Sequence, residues 1–461
     1  MNNQNNAQIK SEVNSAFKLS GFTIRREASN FLVEQLSTYS AQERQRTIDK
    51  LTKHLLHQCL SQPVLEKNHI EVAFNECSSV GLEESESVLN VIDAFSIPKL
   101  RYDKERKKFL KDLEVSNNLY PEPKWKAQFL IERYTLIWQR TVRNKLFASE
   151  SLPGFEGEKR FKLKKIEVLL SSSSRIDEVI VLGLLTQLTE GKFYLEDPTG
   201  TIPLDISQTR YHSGLFTESS YVLAEGYYDD KTLYVMGLVL PPSEQREMSL
   251  PYFGNLNTFG GKSKNLLKNS QNLLRIERQN EDGTIVFISD VWLDNMKVMN
   301  NLKTLFSGYN EYPPIAIVFM GEFLSCDAVI FTTNPCRIQY CTQEIVVFRQ
   351  DLVMKMCRNS IHFPEAGDIP DHLTKTLLSQ CTLSSLSLGV QPLYWKHADS
   401  LSLYPLPDLI VIGDHFQPYS RSYQNCNVIN PGSFPRTEFS FKVYVPFTKT
   451  VEDSQIPKDN E

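Results

Sequence analysis

TIVFISDVWLDNMKVMNNLKTLFSGYNEYPPIAIVFMGEFLS (284–325) is the stretch whose reading decides the fold. The run 284–289 suits a strand buried on both faces, 292–306 spaces its apolar residues as a helix does, and 315–320 is a second buried run. Strand, helix and strand in that order make a βαβ unit, which places 250–461 among α/β frames. Further buried strands are expected at 408–412, 427–429 and 441–445.

Upstream, the period changes to two. The segments 179–188, 193–196, 202–206, 221–228 and 232–239 read as five strands joined by turn chemistry at 190–191, 197–200 and 229–230, the layout of a small antiparallel barrel of the OB type over 161–245. Phe193, Tyr194, Tyr227 and Tyr228 would be its stacking rings if it bound a single nucleic-acid strand. Against that, 190–239 holds eight acidic residues and three basic ones (Lys192, Arg210, Lys231), which repels a phosphate backbone. A barrel used for packing is therefore expected, with single-stranded DNA binding as the alternative.

Before the barrel, Ala127, Leu130, Ile131, Tyr134 and Trp138 give 125–147 an amphipathic helical stripe that should dock on a later domain. It is preceded by a basic stretch, 99–111, whose seven Lys or Arg residues outnumber Asp103 and Glu105. This reads as a solvated linker or, through KERKK, as a nuclear-import signal. Together these make a linker-and-helix region at 96–160. Helical spacing recurs at Ala28, Phe31, Leu32 and Leu36, at Ile48, Leu51, Leu55, Leu56 and Cys59, and at Ile70, Ala73, Phe74 and Cys77, so a small helical domain is expected over 8–95. The whole is a multidomain α+β chain.

Bulk properties narrow the function. The 461 residues exceed one core, and no apolar run reaches the roughly 20 residues of a membrane span. The start, MNNQNNAQIK, lacks a secretory pattern, so a reducing compartment and eight free thiols are expected. A net charge of −5 opposes a protein that clamps nucleic acid over its whole surface, leaving any DNA contact local or delegated.

Chemistry should sit at the strand ends of the α/β frame. There the chain carries Asp290-Val291-Trp292, then Gly321-Glu322-Phe323-Leu324-Ser325, then Gly413-Asp414-His415-Phe416, and after the next strand Asn430-Pro431-Gly432-Ser433. These resemble, in altered form, the ligand strings D-x-H, G-D-x-x-D and G-H-x-H of calcineurin-type phosphoesterases, in which two cations clamp the attacking and leaving oxygens. Trp292 puts an indole where an imidazole belongs, and an indole binds no metal. Glu322 lengthens the bridging carboxylate, Ser325 is a hydroxyl, and Asp414 and Phe416 replace two histidines. The G-N-H-D/E string is absent. Asp290, Glu322, Asp414 and His415 around one cation is the competing arrangement, but turnover needs a full ligand set, so an inactive frame with no metal and no cofactor is expected. Cys336, Cys341, Cys357 and His362 have a superficially finger-like spacing. Strand alternation would point Cys336 and Cys341 to opposite faces, so buried thiols are expected there and not zinc.

The strings FKLSGF (17–22), ERKKFL (105–110), GKFYLEDPTG (191–200), YFGNLNTFGG (252–261), ISDVWLD (288–294), FTTNPCRIQYCTQEI (331–345) and NPGSFPR (430–436) resemble the B-subunit family of DNA polymerase epsilon over nearly the whole chain. The resemblance implies a helical head, an OB fold and a degenerate phosphoesterase domain in a nuclear, non-catalytic accessory subunit. It implies that these surfaces hold the zinc-bearing carboxy-terminal module of the catalytic subunit, that the head contacts GINS in the replicative helicase, and that DNA is met within the holoenzyme. The family's pattern has several tens of residues between the strings equivalent to GEFLS and VIFTTNP. Here only Cys326, Asp327 and Ala328 intervene, too few for a crossover between parallel strands. An internally shortened phosphoesterase domain, with a hairpin or displaced segment at 326–328, is therefore expected.

Overall fold

The computed structural model describes residues 2–36, 41–57, 64–73 except 68 and 72, 86–112, 122–147, 161–263, 265–324 and 332–457. At the amino-terminal end, helices Asn2–Leu19, Arg26–Leu36 and Ala41–His57 are joined by a two-residue parallel pairing of β1 (Thr23–Ile24) with β2 (Val64–Leu65). Their apolar stripes meet in one core of Ile9, Val13, Phe17, Leu32, Leu36, Ile48, Leu51 and Leu55. Cys59, Phe74 and Cys77 lie outside the described residues.

The helical expectation fails before 95. Leu89–Ile92 is a strand, β3, at the edge of a sheet assembled mostly from residues beyond 335. A four-residue edge strand carries little periodicity of its own and is fixed by its partner, so helical spacing upstream gives no warning of it. The basic stretch is a hairpin of β4 (Leu100–Asp103) and β5 (Lys108–Lys111), with Lys107 at positive φ in its turn.

Helix Lys124–Arg143 follows, ending four residues earlier than expected. Tyr134 and Ile137, flanked by Leu130 and Trp138, pack on Leu182, Leu184, Tyr221 and Leu223 of the barrel wall. Ile131, assigned to the buried stripe from sequence, is 43% exposed. The buried face is rotated because the last turn of the helix also serves a second neighbour. Arg140 donates to the carbonyls of Leu378 and Ser379, and Gln139 donates to the Tyr404 hydroxyl.

The barrel strands are β6 (Leu163–Lys164), β7 (Ile176–Thr189), β8 (Lys192–Asp197), β9 (Gly200–Asp205), β10 (Arg210–Tyr211), β11 (Tyr221–Asp229) and β12 (Thr232–Val239). Antiparallel pairing runs β9–β8–β7–β11–β12, and parallel pairing of β9 with β12 closes the ring. Closure removes the open edges of the sheet and leaves an interior of Val179, Val181, Leu195, Ile202, Val222 and Val235. Asp197 orders the β8–β9 turn by accepting from the amides of Thr199 and Gly200.

Two sheets form the carboxy-terminal frame. The first has the order β14–β13–β20–β21, with β13 (Ile285–Ser289) parallel to β14 (Ala316–Met320) and antiparallel to β20 (Ser440–Val445), which pairs with β21 (Thr450–Gln455). The second has the order β18–β19–β17–β16–β15–β3, where β16 (Gln343–Arg349), β17 (Leu409–Gly413) and β19 (Cys426–Asn430) are parallel. β15 (Cys336–Tyr340) and β18 (Tyr419–Tyr423) pair antiparallel to their neighbours. Phe287 and Tyr444 from one sheet meet Ile338, Ile345, Val411 and Ile429 from the other. Helix Met296–Gly308 covers the outer face of the first sheet, and helices Leu352–Arg358 and Ile369–Gln380 cover that of the second.

The chain passes from β14 in one sheet to β15 in the other, so the short connection makes no crossover between neighbouring parallel strands. Among the described residues, β14 pairs with β13 alone. Residues 325–331, where the shortening was expected, are outside the described set.

Barrel and frame share a hydrogen-bonded seam. Gln380 both donates to the Tyr221 carbonyl and accepts from its amide, at 2.7 and 2.8 Å. The Gly214 amide donates to His372 Nδ1.

Candidate functional site

The carboxyl ends of β13, β14, β16, β17 and β19 converge on one locus between the two sheets. Asp290 follows β13, is 1% exposed and holds a left-handed φ of 58°. Its amide donates to the Met320 carbonyl, while its Oδ1 accepts from the Glu322 amide at 3.1 Å. Gly321 has a φ of +86°, and a Cβ there would collide with the Asp290 carboxylate. The Gly321-Glu322 pair is thus built to let a backbone amide reach an acid, which is one half of what a strand-end ligand site requires.

The other half is occupied by an arginine. Arg349, the last residue of β16, sends its guanidinium across the locus. Nη1 donates to Asp351 Oδ1 and to the Gly413 carbonyl at 3.1 Å each, and Nη2 lies 3.9 Å from Asp290 Oδ1 and 3.2 Å from His415 Nε2. His415 bridges the two acids, with Nε2 3.3 Å from Asp290 Oδ2 and Nδ1 2.9 Å from Asp351 Oδ1. Burial opposes ionisation of Asp351, but the His415 amide, Arg349 and the His415 ring together hold it below the usual carboxylate range. A guanidinium has five donors and a fixed charge, so it can stand among carboxylates where a divalent cation otherwise would.

The remaining positions divide. Asp414 is buried and accepts from the Val353 and Phe416 amides at 2.9 Å each. Burial pushes its carboxyl up, and the two amides only partly oppose that shift. Glu322 joins through its amide, not its carboxylate. Trp292 packs into the core over helix Met296–Gly308, and Phe416 packs on the opposite core. Asn430, fully buried, ties the β17 and β19 ends together, accepting from the amides of Asp414 and Gly432 and donating to the Phe416 and Gln417 carbonyls. Ser325 is outside the described residues. So Asp290 and His415 meet, Asp414 and Glu322 do not bring carboxylates to them, and Arg349 and Asp351 were missed from sequence. The only signal for the missed pair was a basic residue ending a buried strand two positions before an acid.

Among the described residues, no three His, Cys, Asp or Glu side chains come together in a way that would hold a metal ion. The finger-like set is dispersed: Cys336 and Cys341 sit in the core between the sheets, Cys357 lies against the outer core, and His362 stacks on Tyr211 of the barrel at 4.3 Å. Cys336 and Cys341 share a core although alternation separates them, because Cys341 leaves the strand at a φ of 48°. Burial pushes its thiol up to about 11. Of the barrel rings, Tyr228 is inside the barrel and Phe193 packs against that interior, while Tyr227 is stacked on Tyr234 at 4.9 Å. They do not form one open stacking platform.

Three family models match the chain. Residues 5–77 match "DNA polymerases epsilon N terminal", 123–242 match "DNA polymerase epsilon subunit 2-like, OB-fold domain", and 325–421 match the model of the DNA polymerase alpha/epsilon B subunits. DNA polymerase epsilon subunit 2 of Homo sapiens is 41% identical, with 97% of this chain and 99% of that protein covered. The Drosophila melanogaster protein of the same name is 40% identical, with 98% and 99% covered. The DNA polymerase epsilon B subunit of Saccharomyces cerevisiae is 25% identical, with 73% and 70% covered. The human alignment runs over 521 positions against a chain of 461 residues, so at least 60 aligned positions, 521 minus 461, have no residue here. A solved archaeal phosphodiesterase covers 37% of the chain at 8% identity and a TM-score of 0.22, too low to carry an argument. With three matching segments in order and near-complete coverage of its animal relatives, the chain belongs to the DNA polymerase epsilon subunit 2 family, also called the B subunits.

Proposed function

We propose that the chain is a non-catalytic accessory subunit of DNA polymerase epsilon, acting in the nucleus as a scaffold for the catalytic subunit. The observation that carries this reading is Arg349. A guanidinium held between Asp290 and Asp351 puts a fixed positive charge where a cation would sit in the strand-end locus, whereas metal-assisted hydrolysis needs both a cation and a vacant position for water. Trp292, Glu322, Asp414 and Phe416 serve packing and backbone anchoring in this frame. The partner surfaces are those of the barrel and the frame, locked together by the Gln380–Tyr221 pair and by Arg140. Their occupant is the zinc-bearing carboxy-terminal module of the catalytic subunit. The amino-terminal helical unit has its own core and is the link to GINS in the helicase.

Two measurements test this. The chain should co-elute with the carboxy-terminal module of the catalytic subunit in size-exclusion chromatography, and failure to do so would remove the scaffold role. Manganese-dependent turnover of a generic phosphodiester, abolished by Asp290→Ala, would replace it with an enzyme.

We also propose that the missing alignment positions fall largely between 324 and 332, shortening the phosphoesterase domain beside β14. The lone pairing of β14 with β13 among the described residues supports this. Cooperative melting with the stability of the human relative would count against it.

A further inference from the structure

The basic stretch at 99–111 is not used by the site above, and the fold gives it neighbours. Lys99 and Lys111 flank the open end of the β4–β5 hairpin, where the Asp112 amide donates to the Lys99 carbonyl. There they line a cleft of about 880 Å³ with Lys262 from the loop after the barrel and Lys396 from the 3₁₀ turn Trp395–Leu401. Lys99 and Lys396 both approach the Trp125 ring, their ammonium nitrogens 4.7 and 5.2 Å from its centroid. Phe95, 63% exposed, stands at the rim with its ring edge-on to His397 at 5.2 Å.

The charge in this cleft is predominantly positive, four lysines against Asp112 and Asp399. None of the four ammonium groups makes an ion pair or hydrogen bond to a described residue. The nearby acids are committed elsewhere: Asp112 to Arg101 at 3.0 Å, and Asp93 to the Phe95 and Ser96 amides. Asp399 also lines the cleft; burial pushes its carboxyl up to about 6 while Lys99 opposes the shift, so it remains an acid facing the lysines at neutral pH.

We propose that this cleft binds a short run of single-stranded nucleic acid, its phosphates on Lys99, Lys111, Lys262 and Lys396 and a base on the exposed face of Phe95. The residue types favour nucleic acid over an acidic peptide. Carboxylates are recognised best by the two-pronged guanidinium, and the neighbouring arginine, Arg101, is already paired with Asp112 and Glu132. Lysines are point charges without directional demands, which suits a sequence-neutral backbone, and exposed rings beside them suit unstacked bases. A local site also reconciles nucleic-acid contact with a net charge of −5. The barrel is disfavoured as the platform by its acidic residues and by Tyr228, which lies inside it.

The test is fluorescence anisotropy of the full chain with a labelled thymidine oligonucleotide of about 15 nucleotides, repeated across a salt series. A triple change, Lys99→Glu with Lys262→Glu and Lys396→Glu, should weaken binding at least about tenfold and lower the salt-dependence slope by about 2. Phe95→Ala should weaken it several-fold. Both variants lie at the surface and should keep the parent melting temperature and the parent co-elution with the catalytic-subunit module. Binding unchanged in the triple variant overturns the proposal. So does loss of binding in Tyr194→Ala on the barrel with the cleft intact. Displacement of the oligonucleotide by poly-glutamate at equal charge concentration would assign the cleft to acidic peptides and overturn it as well.

Discussion

The two ends of the parallel strands in the second sheet both carry clustered charge, and they are built differently. At the carboxyl end, Arg349, Asp351 and His415 remain between 23% and 37% exposed around the buried Asp290. At the amino end, Arg246 is paired with Glu344, and Asp408 accepts from Lys268 at 2.7 Å, Lys449 at 2.8 Å and the Glu344 amide at 3.0 Å, with Arg246 3.6 Å away. Arg246, Glu344 and Asp408 are between 4% and 8% exposed there. Wet, partly exposed pairing at one end and dry, interlocked pairing at the other teach that only the second is committed wholly to holding the fold. The first keeps the openness of a site after an arginine has taken its centre.

Asp408→Asn should have the largest effect. It strands Arg246, Lys268 and Lys449 with one carboxylate, and breaking a buried network of this kind costs about 3 to 5 kcal/mol in chemical denaturation. Its pH signature follows from the ionisation of Asp408. Burial pushes that carboxyl up, but Lys268, Arg246 and Lys449 outweigh burial and hold it far below the ordinary carboxylate range. A depressed acid stabilises the fold above its unfolded value, so stability should be lost as pH falls below about 4, and the variant should lose less of its remaining stability there. If Asp408→Asn were no worse than the next change, the contrast between the two ends would collapse.

That next change, Asp290→Asn, removes the charge facing Arg349 and His415 but keeps an acceptor for the Glu322 amide. The partners are partly hydrated, so a loss of about 1 to 2 kcal/mol is expected in the same assay. Arg349→Ala sharpens the comparison in a different way. Without the guanidinium, Asp290, Asp351 and His415 face one another across a vacant position, and millimolar manganese should raise the melting temperature of the variant but not of the parent. No manganese effect in either would show that the ligands are no longer arranged for a cation. Lys449→Ala should do least, below about 1 kcal/mol, because the lysine is 46% exposed and Lys268 still holds Asp408.

How much of this was legible depended on whether local pattern or distant partners decided each element. The two-residue period placed β11 and β12 to within a residue at 221–228 and 232–239 but missed β6 and β10, and 284–289 and 315–320 announced β13 and β14. Asp290 and His415 were legible because strand-end acids and imidazoles follow recognisable runs. Arg349 was not, since its meaning comes only from the meeting of three strand ends that are 59 and 66 residues apart from it in the chain. β3 was missed for the same reason: LNVI becomes a strand only against β15. The lysine cleft draws on four separate stretches, and only 99–111 stood out as basic.

The place of β14 at the margin of its sheet reaches beyond enzymology. Among the described residues, Ala316–Met320 has no strand on its outer side, which leaves backbone donors and acceptors there among half-buried apolar side chains. Such an edge invites pairing by any passing strand, and proteins ordinarily blunt it with charge, proline or a covering element. Here the five residues are Ala, Ile, Val, Phe and Met. Concentration-dependent light scattering by the free chain would show this edge pairing with a second copy, and a flat signal would show it covered.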